Sequence, residues 1–228
     1  CLVGSEMCIR DRLDMIASGP AYPDSSTSAQ AMAIVKKYGL QLSQHAQSLL
    51  AQETPKTLSN VETHITGSVR QLCASAEETA RSLGYTPVVL TDSLRCTARD
   101  AGSFLASIAQ YNQSSEKSLA FIAGGETVVH LTGTGLGGRN QEIALSAALG
   151  IEGLSNALVF SAGSDGTDGP TDAAGGVVDG QTAKMLRERG IDPVQSLNDN
   201  DAYHALGAVG GLLKTGATGT NVNDVTVL

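Results

Sequence analysis

Apolar residues recur at helical spacing most clearly between residues 68 and 83. There Val69, Leu72, Ala76 and Leu83 fall on or near one face, and Gly84 follows where a helix would stop. The same spacing predicts helices over 29–38 (ended by Gly39), 42–51, 96–111, 140–149, 179–189 and 199–209. Asp24 or one of Ser25 to Thr27 is placed to cap the first of these. Short apolar runs bounded by turn residues predict strands at 61–65, 86–90, 119–123, 128–131 and 157–161. The apolar alternation of Val225, Val227 and Leu228 predicts a closing strand. Between these lie a connector at 53–59, a polar linker at 113–118, long loops at 162–176 and 210–223, and a turn or short 3₁₀ piece at 192–197. Strand and helix alternate as in a parallel α/β sheet. The polar linker puts a domain boundary near residue 115, and no internal repeat is visible.

Composition narrows the picture. With 228 residues and 41% hydrophobic content the chain can build a real core, so neither disorder nor a disulfide scaffold is expected. The net charge of -8 argues against duplex nucleic acid and anionic membrane surfaces as partners. No apolar run reaches the roughly 18 residues of a membrane span. Twelve of the 23 acids but only five of the 15 bases follow residue 120, so the last segment carries nearly all of the net charge. The 26 glycines exceed the ordinary share of about 7%, and the excess falls in loops. Cys73 and Cys96 have no C-x-x-C spacing and read as buried thiols of a reducing, cytoplasmic compartment. The first twelve residues, CLVGSEMCIRDR, lack signal-peptide order. They resemble a translated sequencing-adapter read and carry no functional weight.

Three loops hold the candidate chemistry. Gly133, Gly135 and Gly138 fit G-x-G-x-x-G between a strand and a helix. No acid is placed to hold a ribose, and Arg139 would crowd a pyrophosphate. A plain turn, a phosphate or carboxylate site and a dinucleotide site all remain open, the second favoured by the guanidinium at a helix mouth. In the second loop Asp165, Asp168 and Asp172 lie within eight residues among glycines, directly after a buried strand. Mg²⁺ held by one or two carboxylates plus substrate phosphates suits them, as does an array of Asx turns capping helices. The third loop, Thr215 to Asp224, presents hydroxyls and amides around two glycines, either as donors to phosphate or as a tight connection. Asn198-Asp-Asn-Asp201 reads as helix capping with solvent-facing acids, His130 and His204 as structural or surface residues, and Tyr203 as packing.

Together these segments resemble one family. Gly124-Gly-Glu126-Thr, Gly137-Gly-Arg139-Asn-Gln-Glu142, the run from Ser161 through Asp165, Asp168 and Asp172 to Gly175, Asn200-Asp-Ala-Tyr203 and Thr218-Gly-Thr-Asn221-Val-Asn-Asp224 look like the MOFRL domain. That is the C-terminal domain of the class II glycerate 2-kinases. Upstream, Ile16-Ala-Ser-Gly19-Pro20, Pro23-Asp24, Thr27 and Glu53-Thr-Pro55 resemble the last part of their N-terminal Rossmann-like domain, DUF4147. The resemblance implies an α/β chain with a partial Rossmann-like parallel-sheet domain at 13–115 and a smaller MOFRL domain at 116–228. It implies phosphoryl transfer from ATP, with Mg²⁺, to the 2-hydroxyl of D-glycerate, in a cleft between two domains. Arg139 would contact the substrate carboxylate or the phosphoryl group. Glu126, Asp165 and Asp168 would form the acidic side, with Asp165 and Asp168 as metal ligands. Gly137, Gly138, Thr218, Gly219, Thr220 and Asn221 would line the cofactor side. Ala217 stands where the family usually has Pro, which costs the tail turn some rigidity. The family's N-terminal domain is longer than what is present, so the chain is expected to be an inactive fragment of a kinase. Two rival readings are an NAD(P)H-dependent hydroxypyruvate reductase, suggested by G-x-G-x-x-G, and a non-catalytic binding module.

Overall fold

The structure is a computed structural model that describes residues 22–62, 64 and 67–228. The adapter-like segment and the motif at 16–20 lie outside the described residues. The chain divides into two compact units, Cys1–Thr66 and Gly67–Leu228.

In the first unit a capping box starts helix α1 (Ser28–Tyr38). The Thr27 hydroxyl accepts from the Gln30 amide at 3.2 Å, and Gln30 Oε1 accepts from the Thr27 amide at 2.8 Å. Gly39 ends the helix in the left-handed region, and Ser43 caps α2 (Gln44–Leu50). Thr27 is therefore the cap among the candidates. The flanking loops are tied by Thr54 Oγ1 donating to Asp24 Oδ2 at 2.9 Å and by the Ser28 amide donating to Glu53. The strand expected at 61–65 lies partly outside the described residues, and Val61, Glu62 and His64 are not in a strand.

The second unit runs α3 (Val69–Ser82), β1 (Thr86–Leu94), α4 (Ala98–Asn112), β2 (Leu119–Gly125), α5 (Arg139–Gly150), β3 (Leu158–Gly163), β4 (Gly175–Asp179), α6 (Thr182–Glu188), α7 (Pro193–Asn198), α8 (Ala202–Ala208), β5 (Leu212–Leu213) and β6 (Asp224–Val227). The strands form one sheet in the order β1-β2-β6-β3-β4-β5. Only β1 and β2 are parallel; every other pair is antiparallel. The expected α/β class holds, but the sheet is mixed. The closing strand β6 inserts between β2 and β3 and runs against both. The boundary expected near residue 115 falls inside this unit, because β1 before it pairs with β2 after it. Val128 makes a single bridge to Thr97 in place of the strand expected there.

Adjacent residues Val159 and Phe160 on β3 point to opposite faces of the sheet. Val159 joins the main core, formed by Leu105 of α4, Ile143 and Leu145 of α5, Val178 of β4, Leu186 and Leu206. On the other face α3 places Val69 and Cys73 against Ile122. Leu72 and Ala76 of α3 flank a cavity of about 710 Å³ with Phe160 and Val227. Helix α5 is the centre of the unit and is buried from Asn140 to Ala148. Its alanines, with Ala101 and Ala106 of α4, permit close helix packing. A helix buried on all sides must satisfy its polar first turn from within the protein, and Asn140, Gln141 and Glu142 are all buried there. That demand shapes the site.

Candidate active site

The ends of three adjacent strands meet at the start of α5. Asp224, the first residue of β6, lies opposite Gly125 at the end of β2 and Gly163 at the end of β3. Crevices beyond the carboxyl ends of strands are where open α/β sheets bind ligands. Arg139, the first residue of α5, reaches this point. Its Nε donates to Asp224 Oδ2 at 2.5 Å, its Nη2 to Asp224 Oδ1 at 3.1 Å, and its Nη1 to Glu126 Oε1 at 3.2 Å. Glu126 is the residue on which β2 leaves the sheet. The Asp224 side chain is 6% exposed, against 27% for Arg139 and 25% for Glu126. Burial alone would lower the Arg139 pKa. The hydrogen bonds and charge of Asp224, with Glu126 behind them, outweigh burial and hold it above the ordinary value.

Asp168 lies at the other side of the helix start. Its Oδ1 accepts from the Asn140 amide at 3.1 Å and from Asn140 Nδ2 at 3.2 Å, and its Oδ2 from the Gln141 amide at 2.9 Å. The carboxylate thus caps α5 from 28 residues away, in the place an anionic ligand would take. Gly138 permits this approach, since a Cβ there would stand 2.3 Å from Asp168 Cγ. Burial raises the Asp168 pKa to about 6, against the opposing pull of the Gln141 and Asn140 amides.

Asp165 is half-buried on the loop after β3. Its Oδ1 accepts from the Thr167 amide at 2.9 Å, an Asx turn, and its Oδ2 lies 3.5 Å from Asn221 Nδ2. The Thr218 amide donates to the Asp165 carbonyl, Thr218 Oγ1 to the Ser164 carbonyl, and the Val222 amide to Ser164 Oγ. These bonds clip the tail loop to the Asp loop. Gly219 and Thr220 sit exposed at its tip.

The structure therefore brings Arg139 and Glu126 together, and Asp165 together with Thr218 and Asn221. Of the two acids expected to bind a cation, Asp165 is the more accessible, although its oxygens also accept from the Thr167 amide and Asn221 Nδ2. Asp168 fits that role poorly, because it is 3% exposed and its oxygens face the buried start of α5. Among the described residues no group of three or more His, Cys, Asp or Glu is arranged to hold a metal ion. Gly137 faces Asn200 and Ala202, and Gly138 faces Asp168, so both abut protein atoms. Asp224 is the participant that sequence reasoning missed. It stood in the quoted tail motif, but an Asp opening a strand has no local signature of an arginine partner 85 residues away.

The glycine loop takes the plain-turn reading in an unexpected form. The Thr132 and Gly133 amides donate to Asn200 Oδ1 at 2.7 and 2.9 Å, Thr134 to Asp199 Oδ1 at 3.0 Å, Gly135 to the Asp199 carbonyl and Leu136 to Asp201 Oδ1 at 3.0 Å. The amides of residues 132 to 136 are thus consumed by the very segment read as helix capping. Cβ atoms on Gly133 and Gly135 would lie 2.3 to 2.4 Å from Asp199 and Asp201. Asp172 accepts from Tyr203 Oη at 2.7 Å and Lys214 Nζ at 2.9 Å, so Tyr203 is a hydrogen-bond partner as well as packing. His130 and His204 are exposed.

Comparison with known proteins places this geometry in a family. The MOFRL family model matches residues 119–224, and the domain of unknown function DUF4147 matches 2–51, starting inside the adapter-like segment. A D-glycerate 2-kinase of Thermotoga maritima is 54% identical over 95% of this chain and 53% of its own length. A crystal structure of a glycerate kinase from the same organism superposes with a TM-score of 0.88, at the same identity and the same coverage of each chain. A glycerate kinase of Macaca fascicularis is 31% identical over 96% of this chain and 69% of its own. The chain thus spans about half the length of the Thermotoga relative. With both domain models matched in order and this degree of identity, the chain belongs to the MOFRL-containing glycerate 2-kinase family.

Proposed function

We propose that the protein carrying this chain transfers the γ-phosphoryl group of ATP to the 2-hydroxyl of D-glycerate, giving 2-phosphoglycerate. The observation that carries the reading is the 54% identity, sustained over 95% of the chain, to a relative named for that reaction. The site supports it. Phosphoryl transfer depends mainly on positioning and on neutralising the charge of the moving group. Arg139, held in one plane and partly open to solvent, suits both tasks toward a substrate carboxylate or a phosphoryl oxygen. Mg²⁺ supplied with the nucleotide would neutralise phosphate oxygens, and Asp165 is the carboxylate of this chain that would hold it. Thr218, Gly219, Thr220 and Asn221 would line the nucleotide side beside Asp165. Asp168 keeps the start of α5, and hence Arg139, in place.

A reductase reading draws less support from the G-x-G-x-x-G loop, because its Gly133 to Leu136 amides are spent on Asp199, Asn200 and Asp201. ATP use and the unpaired thiols Cys73 and Cys96 support a cytoplasmic location. Burial raises the pKa of both thiols, which disfavours the reactive thiolate. No helix among the described residues is long and apolar enough to cross a membrane.

The test is ADP release with D-glycerate, Mg²⁺ and ATP, with the product resolved as 2- or 3-phosphoglycerate by phosphorus NMR. It is run on the full gene product and on the 228-residue chain. Turnover in the first and none in the second is expected. Absence of D-glycerate-dependent ADP release from the full gene product would refute the assignment.

A further inference from the structure

Among the described residues two carboxylates bind Arg139, and they are not equivalent. Asp224 offers both oxygens to the guanidinium, at 2.5 and 3.1 Å, while Glu126 offers one, at 3.2 Å. Asp224 opens a strand paired on both sides, to β2 and to β3, so its backbone cannot shift without breaking two ladders. Glu126 lies just past the end of β2 and is four times as exposed. A planar fork bound twice along one edge has its plane fixed. A single bond to a half-buried glutamate adds charge but little orientation.

We propose that Asp224 is the positioning residue of the site. It sets the plane and direction of the Arg139 guanidinium, and Glu126 contributes charge only. Asp224 acts through Arg139 and touches no substrate. The kinetic part of this inference rests on the proposed kinase activity; the geometric part does not.

The geometric test is hydrogen exchange at the Arg139 Nε–H, read by NMR of the isotope-labelled chain. A proton locked to a buried carboxylate exchanges slowly. Asp224→Asn should speed exchange by about tenfold or more, whereas Glu126→Gln should leave it slow. Unchanged exchange in Asp224→Asn would overturn the proposal. If that variant does not fold, Asp224→Glu keeps the charge but moves the carboxylate by one methylene, and the same acceleration is required of it.

The kinetic test is a double-mutant cycle in the full gene product. Asp224→Asn should lower kcat by about 100-fold in the wild-type background and by less than about threefold in an Arg139→Lys background. The KM for ATP should move little in either. A merely structural role would give the same loss in both backgrounds, and that result refutes the proposal. Should the wild-type protein fail to phosphorylate D-glycerate, the proposed function falls, and the exchange experiment still judges the Arg139–Asp224 relationship.

Discussion

Asp168 occupies the space that a side chain on Gly138 would need. A Cβ there would lie 2.3 Å from the Asp168 Cγ and 2.5 Å from each carboxylate oxygen. The close approach lets one carboxylate satisfy two backbone amides of a buried helix start. Gly138→Ala must therefore push Asp168 away or shift the first turn of α5. Overpacking of this kind costs about 1–3 kcal/mol. Urea unfolding should show the loss, and an alanine variant as stable as wild type would contradict the contact.

Asp168 also predicts a pH dependence with a definite sign. Its pKa is raised from 3.8 to about 6 in the fold, first by burial, so the folded chain binds the proton more tightly than the unfolded chain. The stability this provides is complete below about pH 4 and is lost as pH rises through about 6. Asp168→Asn lacks the titration. The stability of wild type relative to that variant should fall between pH 4 and 7.5, by on the order of 3 kcal/mol at about 1.4 kcal/mol per pKa unit. Unfolding curves at several pH values check this, and a difference that stays flat or grows with pH would contradict it.

The meeting of Glu126 with Arg139 was legible because both sit in short motifs whose order along the chain is specific. The helices were legible because an amphipathic face repeats locally, as in α3. What failed was non-local. Strand β4 begins with Gly175-Gly176, which carries no strand signal; it forms because the two glycines pack closely against Ser161, Leu206 and Ala144. The closing strand was expected, but its place between β2 and β3 depends on register with residues 61 to 105 positions away. Asp168 looked like a metal ligand because three acids in a row suggest a cation, and only the buried start of α5 reveals its amide partners. The glycine loop looked like an anion cradle for the same reason: its acceptors, Asp199 to Asp201, lie about 65 residues downstream.

Asn200 is the joint of that glycine loop. It is buried, sits at φ 56°, accepts from the Thr132 and Gly133 amides and donates to the His130 carbonyl. Asn tolerates this left-handed conformation better than Ala. Asn200→Ala should lose the bonds and add backbone strain, whereas Asn200→Gly should lose the bonds alone. Each unsatisfied buried group costs about 1–3 kcal/mol, so both variants should be destabilised, the alanine more than the glycine. Equal stability of all three proteins in denaturant titration would contradict this account. The same geometry predicts that NADH fluorescence shows no saturable change on titration with the protein.

Arg139 allows charge and geometry to be separated. Arg139→Ala leaves Asp224 buried without its bidentate partner. Removing one member of a buried pair costs about 3–5 kcal/mol. Arg139 is 27% exposed, so water can replace part of it, and a loss nearer the lower end is expected. Arg139→Lys restores the charge but cannot span both Asp224 oxygens while also meeting Glu126, because an ammonium has no planar fork. The lysine variant should therefore recover most of the stability in thermal unfolding. Its turnover with D-glycerate and ATP should remain reduced by about 100-fold, as when a preorganised donor is removed from a developing charge. Both measurements belong on the full gene product. A lysine variant that turns over near the wild-type rate would show that the positive charge suffices and that the fork held by Asp224 does not matter to the reaction.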